Sequence, residues 1–237
     1  MGRWRSLRPL PLLVAVALPV GLAAALFSLP WLGLCAAAAA GALWRGMPLL
    51  PGLLHPRRAV ELGPHVALGF LAVGAAFVVA DRLGVRPLGF SSEIVLLTAT
   101  HFHFAGFGVL TIGCIVARRR SSMRFAILGL VIGFPVTAAA FVLASDALNA
   151  LGAVIVGLAG SFVAIALTLV RGGGWRTWTM RLAGVALLLG VPMGIAWSWA
   201  IWLGIDFLGL DAMVRTHGVL NAVGVMLVAL AYPRQPA

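Results

Sequence analysis

Apolar residues run along this chain in long uninterrupted stretches, broken at short intervals by arginine, glycine and proline. The stretches show no period-two alternation over ten-residue strands, so they read as helices rather than as a membrane barrel. A helix crossing a hydrocarbon core about 30 Å thick needs roughly 20 apolar residues. On that measure the pattern predicts eight spans, at about 9–27, 30–45, 64–81, 91–117, 124–144, 149–170, 181–203 and 212–231. The expected fold is all-α, a polytopic transmembrane helical bundle. Short connections make it one domain over residues 1–237. The longest break, "GMPLLPGLLHPRRAVELG" at 46–63, reads as a loop on the membrane surface, with His55 and the nearby His65 as solvated loop histidines.

Composition supports a membrane location. The chain is 62% hydrophobic and 10% charged, against about 25% charged in soluble domains. A net charge of +11 raises the question of nucleic acid, but the placement of the charges answers it. All 17 basic residues are arginine. Fourteen of them (Arg3, Arg5, Arg8, Arg45, Arg57, Arg58, Arg118, Arg119, Arg120, Arg124, Arg171, Arg176, Arg181 and Arg234) fall in alternate connections, and only Arg82, Arg86 and Arg215 fall in the others. That is the positive-inside pattern of a multi-pass membrane protein. It predicts that both termini are cytoplasmic, and it leaves nucleic acid without a role.

The amino terminus, "MGRWRSLR" followed by an apolar run to "GLAAALFSLP", resembles a signal peptide with a cleavage point near Ala25. A second apolar segment follows at once and the charge phase is kept, which favours an uncleaved first helix. Cys35 and Cys114 fall near opposite membrane faces, too far apart for a disulfide, and are expected to pack as small apolar side chains.

The chemistry sits in few residues. The six acidic side chains are Glu61 in a loop and Asp81, Glu93, Asp146, Asp206 and Asp211 at helix ends. None lies at mid-membrane, where many proton-driven carriers place a carboxylate, and no paired aspartate motif offers a magnesium site. What lies at depth is histidine, in "TATHFHFAGFG" (98–108), with "RTHGVLNAVG" (215–224) at a comparable depth in the last span. Both spans run inward from the outer face, so His101, His103, His217 and Asn221 share the outer half of the membrane. His101 and His103 are two apart, pointing about 200° away from one another on a helix, and cannot close on one metal ion. They must serve different faces, and no metal is assigned. His217 and Asn221, four apart, share a face. Thr98 and Thr100 each precede a histidine by one turn and are expected to fix an imidazole tautomer.

A second group marks the outer mouth: Glu93, Trp197, Trp199, Asp206, Asp211 and Arg215. The tryptophans suit interfacial anchoring, and Asp211 with Arg215 suits an exposed pair at a helix start. "RFAILGLVIGFP" (124–135) and "RLAGVALLLGVP" (181–192) also align without gaps, each ending in a proline near mid-membrane. Pro135 and Pro192 are expected to kink their helices.

"PLGFSSEIVLLTATHFHFAGFG" (87–108) together with "LDAMVRTHGVLNAVG" (210–224) resembles the YndJ-like family of bacterial membrane proteins. The resemblance implies a shared membrane architecture, points to His101, His103, His217 and Asn221, and carries the family's label of transporter. It also implies that longer members have a further domain. Three classes stay open on the residues: a transporter or ligand-binding protein with an outward-facing His/Asn pocket for a small or amphipathic ligand; a membrane enzyme acting on a lipid or isoprenoid, with histidine as acid–base or as a metal or haem ligand; and a structural subunit. No motif names a cofactor.

Overall fold

The structure, a computed structural model, describes residues 25–232 apart from 53 and 119. Among the described residues every regular element is helical, and seven helices are long and apolar enough to cross a membrane. They are α1 (Ala25–Gly46), α2 (Pro56–Arg82), α3 (Ser92–Ala117), α4 (Arg124–Val142), α5 (Asp146–Thr168), α6 (Trp175–Leu203) and α7 (Leu210–Ala231). The segment expected at 9–27 lies, but for its last three residues, outside the described residues.

Three helix starts differ most from the expectation: α1 begins at Ala25 rather than 30, α6 at Trp175 rather than 181, and α2 at Pro56 rather than 64. Half of the loop expected at 46–63 is helix: a short 3₁₀ turn covers Met47–Gly52, and α2 begins at Pro56. Proline suits a first helical position because its missing N–H would be unpaired there anyway. His55 is the N-cap of α2, its Nδ1 accepting the Arg57 N–H at 3.3 Å. His65 is likewise not a loop residue. It stands half-buried inside α2, against Gly46 of α1.

Other helix ends follow from local chemistry. Ser91 caps α3 and Ser145 caps α5 through their hydroxyl oxygens, with Glu93 and Asp146 in the first turns. Both choices complement the N-terminal dipole. At the opposite end, α5 presents its last carbonyls to arginine: Arg120 donates to Leu169 O at 3.1 Å, and Arg181 donates twice to Val170 O, at 3.1 and 3.0 Å. Gly204 ends α6 at φ 68°, a left-handed cap that costs glycine little.

Successive helices are joined by short connections and pack as antiparallel neighbours. Arg45, Arg57, Arg58, Arg118, Arg120, Arg124, Arg171, Arg176 and Arg181 therefore gather at one end of the bundle. Arg82, Arg86 and Arg215 lie at the other. α3 is the hub, touching α2, α4, α5 and α7. Glycine lets it sit that close: a Cβ on Gly108 would stand 2.6 Å from Val225 of α7, and one on Gly113 2.6 Å from Ile127 of α4. Cys35 and Cys114 are free and buried within this packing. The outward surface is apolar, with Leu34, Trp44, Phe125 and Leu189 exposed. That is the face acyl chains require.

Candidate functional site

The spans that carry histidine are not regular α-helices. In α3 the α-helical stretch Ser92–His101 gives way to a π-helical stretch over Phe102–Val109, and α7 contains a π turn over Val214–Gly218. A π turn widens the helix and shifts its hydrogen-bond ladder, and such turns are rare and concentrated at functional sites. Among the described residues these are the two π segments. They hold, or directly adjoin, all three membrane-embedded histidines of the candidate site.

His103 and His101 take different faces, as their spacing requires. His103 is buried, 2% exposed. Its Nδ1 lies 2.8 Å from the carbonyl of Ala99, at the junction where α gives way to π. A carbonyl only accepts, so Nδ1 carries the proton and Nε2 the lone pair. That lone pair accepts the indole N–H of Trp31 from α1 at 3.1 Å, with the two rings stacked 6.1 Å apart. Both nitrogens are committed and the neutral tautomer is fixed from both sides. His103 was expected among the ligand contacts. Its geometry instead makes it a tie between α1 and α3, with no ring nitrogen left over. Gly74 of α2 gives it room, since a Cβ there would stand 2.6 Å from Nδ1.

His101 faces His217. Their ring centroids are 6.3 Å apart with planes 20° from parallel. His217 is held on its other side: Nδ1 lies 2.9 Å from Gly190 O of α6 and so donates to it. Nε2 is then the acceptor for the Asn221 amide N–H at 3.2 Å. With the amide nitrogen turned to the ring, Asn221 Oδ1 points away toward Gly190, where a Cβ would stand 2.9 Å from it. Asn221 is only 8% exposed, and this oxygen has no hydrogen-bond partner. His101, by contrast, is exposed, and neither of its nitrogens has a hydrogen-bond partner among the described residues. The structure therefore brings His101, His217 and Asn221 together where α3, α6 and α7 meet. The cluster combines a fixed imidazole, an uncommitted imidazole and an orphaned acceptor.

Thr98 and Thr100 do not hold the imidazoles by donation. Their hydroxyls donate to Ile94 O at 2.7 Å and Leu96 O at 3.0 Å, the carbonyls one turn back. The residues expected at an outer mouth find local partners or stand exposed. Glu93 is exposed and accepts from Ser92. Asp206 is exposed, and Asp211 and Arg215 pair with each other at 3.0 Å, both largely in solvent. Trp199 meets Trp202 edge-on at 5.1 Å, while Trp197 donates to Leu208 O at 2.9 Å and ties α6 to the following loop.

Sequence reasoning missed Trp31, Gly74, Gly190 and Gly194. The last of these would place a Cβ 2.9 Å from the His217 ring. The signal for the α6 pair was present in "GVPMG" (190–194), two glycines flanking a helix-breaking proline. Trp31 carried no comparable signal. Among the described residues no three His, Cys, Asp or Glu side chains gather as metal ligands.

Comparison with known proteins points to a membrane protein family. The YndJ-like protein family matches residues 7–225. The uncharacterized membrane protein YndJ of Bacillus subtilis (strain 168) is 26% identical over 178 residues, 73% of this chain and 32% of that protein. The chain thus spans about a third of the length of this curated relative. No solved structure matches.

Proposed function

The chain belongs to the YndJ-like protein family, and on that premise we propose that it is a multi-pass protein of the bacterial inner membrane that binds a small or amphipathic ligand at His101, His217 and Asn221. The arginine-rich end lies in the cytoplasm in this reading, as the positive-inside bias requires. His101 then stands nine residues into α3 and His217 seven residues into α7, roughly 14 Å and 10 Å below the outer helix ends at 1.5 Å per residue. The ligand's polar group is received in the outer half of the bilayer. Pro192 lies inside α6 two residues from Gly190, the residue that fixes His217; the backbone hydrogen bond a proline cannot donate gives the site a hinge for passing the ligand on, as transport requires.

The observation that carries the reading is the buried, unpartnered Asn221 Oδ1, on the residue that bonds His217, whose ring in turn faces the uncommitted His101. A buried polar atom left unpaired costs about 1–3 kcal/mol, and native structures rarely retain one without a water, an ion or a ligand to meet it. The test is a thermal-shift screen of the purified protein against fractionated membrane lipids and small metabolites. A fraction that stabilises the native protein, and stabilises His101→Ala much less, supports the reading. Stabilisation indifferent to His101 and Asn221 removes it.

A second reading, acid–base catalysis on a lipid or isoprenoid, draws on the same geometry. An uncommitted imidazole beside one oriented by a backbone carbonyl is a serviceable proton-transfer pair. Turnover of an added lipid that is lost in His101→Ala while binding survives would select it.

A further inference from the structure

We propose that the arginine-rich end of α5 and α6 holds an anionic phospholipid, its phosphate diester on the guanidinium groups of Arg120 and Arg181 and an acyl chain along the outer face of α6. The proposal uses no residue of the His101 cluster and stands or falls apart from it.

The two arginines come from different connections and converge on one helix end. Arg120, between α3 and α4, donates from Nη2 to Leu169 O at 3.1 Å. Arg181, in the second turn of α6, donates from Nε and Nη2 to Val170 O at 3.1 and 3.0 Å. The acceptors are consecutive residues just past α5, so backbone gathers and orients two cations at the same end of one helix. Capping alone does not account for the pair. A helix carboxyl end carries about half a negative charge, which one arginine already exceeds. Each guanidinium has five N–H donors, and these bonds leave most of both sets unspent on side chains that are only half-buried.

The protein supplies no counter-charge here. Of the acidic side chains, Asp81, Glu93, Asp146, Asp206 and Asp211 lie at the opposite end of the bundle, and Glu61 is taken by Arg58 at 2.9 Å. Arg171, next to Val170, is exposed and adds to the positive field. Gathered guanidinium groups without a carboxylate suit an anion, and their planar forks match the oxygens of a phosphate.

The surroundings select a lipid over a free phosphate. The first residues of α6, "WRTWTM" (175–180), precede its apolar run and expose Trp175 and Trp178, ring types that settle at headgroup level. The Arg181 guanidinium carbon lies 5.0 Å from the centre of the Trp178 ring. From that ring an exposed stripe, Trp178, Leu182, Val185 and Leu189, continues along α6 at intervals of three and four. An acyl chain laid on this stripe brings its own phosphate to Arg181.

The experiment titrates the full chain in dodecyl maltoside with dioleoylphosphatidylglycerol, dioleoylphosphatidylcholine or dioleoylglycerol, and reads bound lipid by native mass spectrometry. Inorganic phosphate serves as competitor. The expected result is saturable binding of the phosphatidylglycerol, about tenfold tighter than either lipid without net charge and unaffected by millimolar phosphate. Arg120→Gln and Arg181→Gln each keep an amide N–H for the backbone carbonyl but remove the charge. Each should weaken binding about fivefold, the factor that one arginine near an anionic headgroup supplies. Arg57→Gln, at an exposed arginine of α2 on the same end, should leave binding unchanged. An equal loss in Arg57→Gln means diffuse surface charge and overturns the site. Displacement of the lipid by inorganic phosphate overturns the choice of a lipid. Equal binding of phosphatidylcholine overturns the proposal outright, and that comparison uses the unsubstituted protein, so it decides even where a variant fails to fold.

Discussion

The rings of His101 and His217 lie 6.3 Å apart and nearly parallel, yet the two are held very differently. His217 bonds to Gly190 O and Asn221, whereas His101 makes only the ring contact. The substitutions should separate accordingly. His217→Ala strands a carbonyl and an amide between helices and should cost about 1–2 kcal/mol, at the upper end for intramembrane hydrogen bonds. His101→Ala, at an exposed position without hydrogen bonds, should stay within about 0.5 kcal/mol while abolishing ligand-dependent stabilisation. Equilibrium unfolding in bicelles measures both. Equal losses from the two would mean that His101 is structural.

The Trp31–His103 bond makes a second, independent prediction. It crosses from α1 to α3 at 3.1 Å, and His103 Nε2 has no alternative donor among its hydrogen bonds. A double-mutant cycle with Trp31→Phe and His103→Phe should return a coupling of about 1 kcal/mol. Neither variant should alter the ligand-dependent stabilisation that His101 confers. A change in ligand response would return His103 to the site.

Much of this architecture could be read before any coordinates. Unbroken apolar runs set the spans from 91–117 onward nearly to their observed ends, except that α6 begins six residues before the expected 181, and the i, i+2 spacing of His101 and His103 already required two faces. The His217–Asn221 pairing followed from an interval of four. What could not be read has identifiable causes. A π turn arises from a shifted hydrogen-bond ladder rather than from any residue type, so "HFHFAGFG" looked like ordinary helix. His103 was assigned to the ligand because its two partners, Ala99 O and Trp31, involve a backbone atom and a residue 72 positions away. Thr98 and Thr100 were assigned to the imidazoles because a hydroxyl can equally reach back to its own helix, and here both do. The start of α2 at Pro56 was masked by prolines, which open helices as readily as they end them.

Gly74 offers a third prediction because its neighbours are specific. A Cβ there would stand 2.6 Å from His103 Nδ1 and 3.2 Å from Ala99 O, the two atoms of one hydrogen bond. Gly74→Ala should therefore destabilise the protein by about 1–3 kcal/mol through overpacking. Gly41→Ala is the control. It sits on an exposed face of α1 with no atom within 4 Å of the added Cβ, and it should be neutral or gain up to about 1 kcal/mol of helix propensity. Equal responses at the two positions would mean that Gly74 is not needed to seat His103.

The orientation of the bundle decides which leaflet supplies the ligand, and it can be tested without knowing that ligand. Arg86, between α2 and α3, and Arg171, between α5 and α6, are both exposed and lie at opposite ends of the molecule. The native Cys35 and Cys114 are each 2% exposed and should stay silent toward a membrane-impermeant maleimide. In intact spheroplasts Arg86→Cys should label and Arg171→Cys should not, with the second labelling only after lysis. That outcome sets the His101–His217 cluster nearer the outer face, where α3 and α7 begin, and a ligand would reach it from the outer leaflet. The inverse pattern would invert the protein against its own arginine bias and move the site to the cytoplasmic leaflet. The hydrogen-bond inventory at Asn221 would be unchanged, but the lipids able to meet it would be those of the other monolayer.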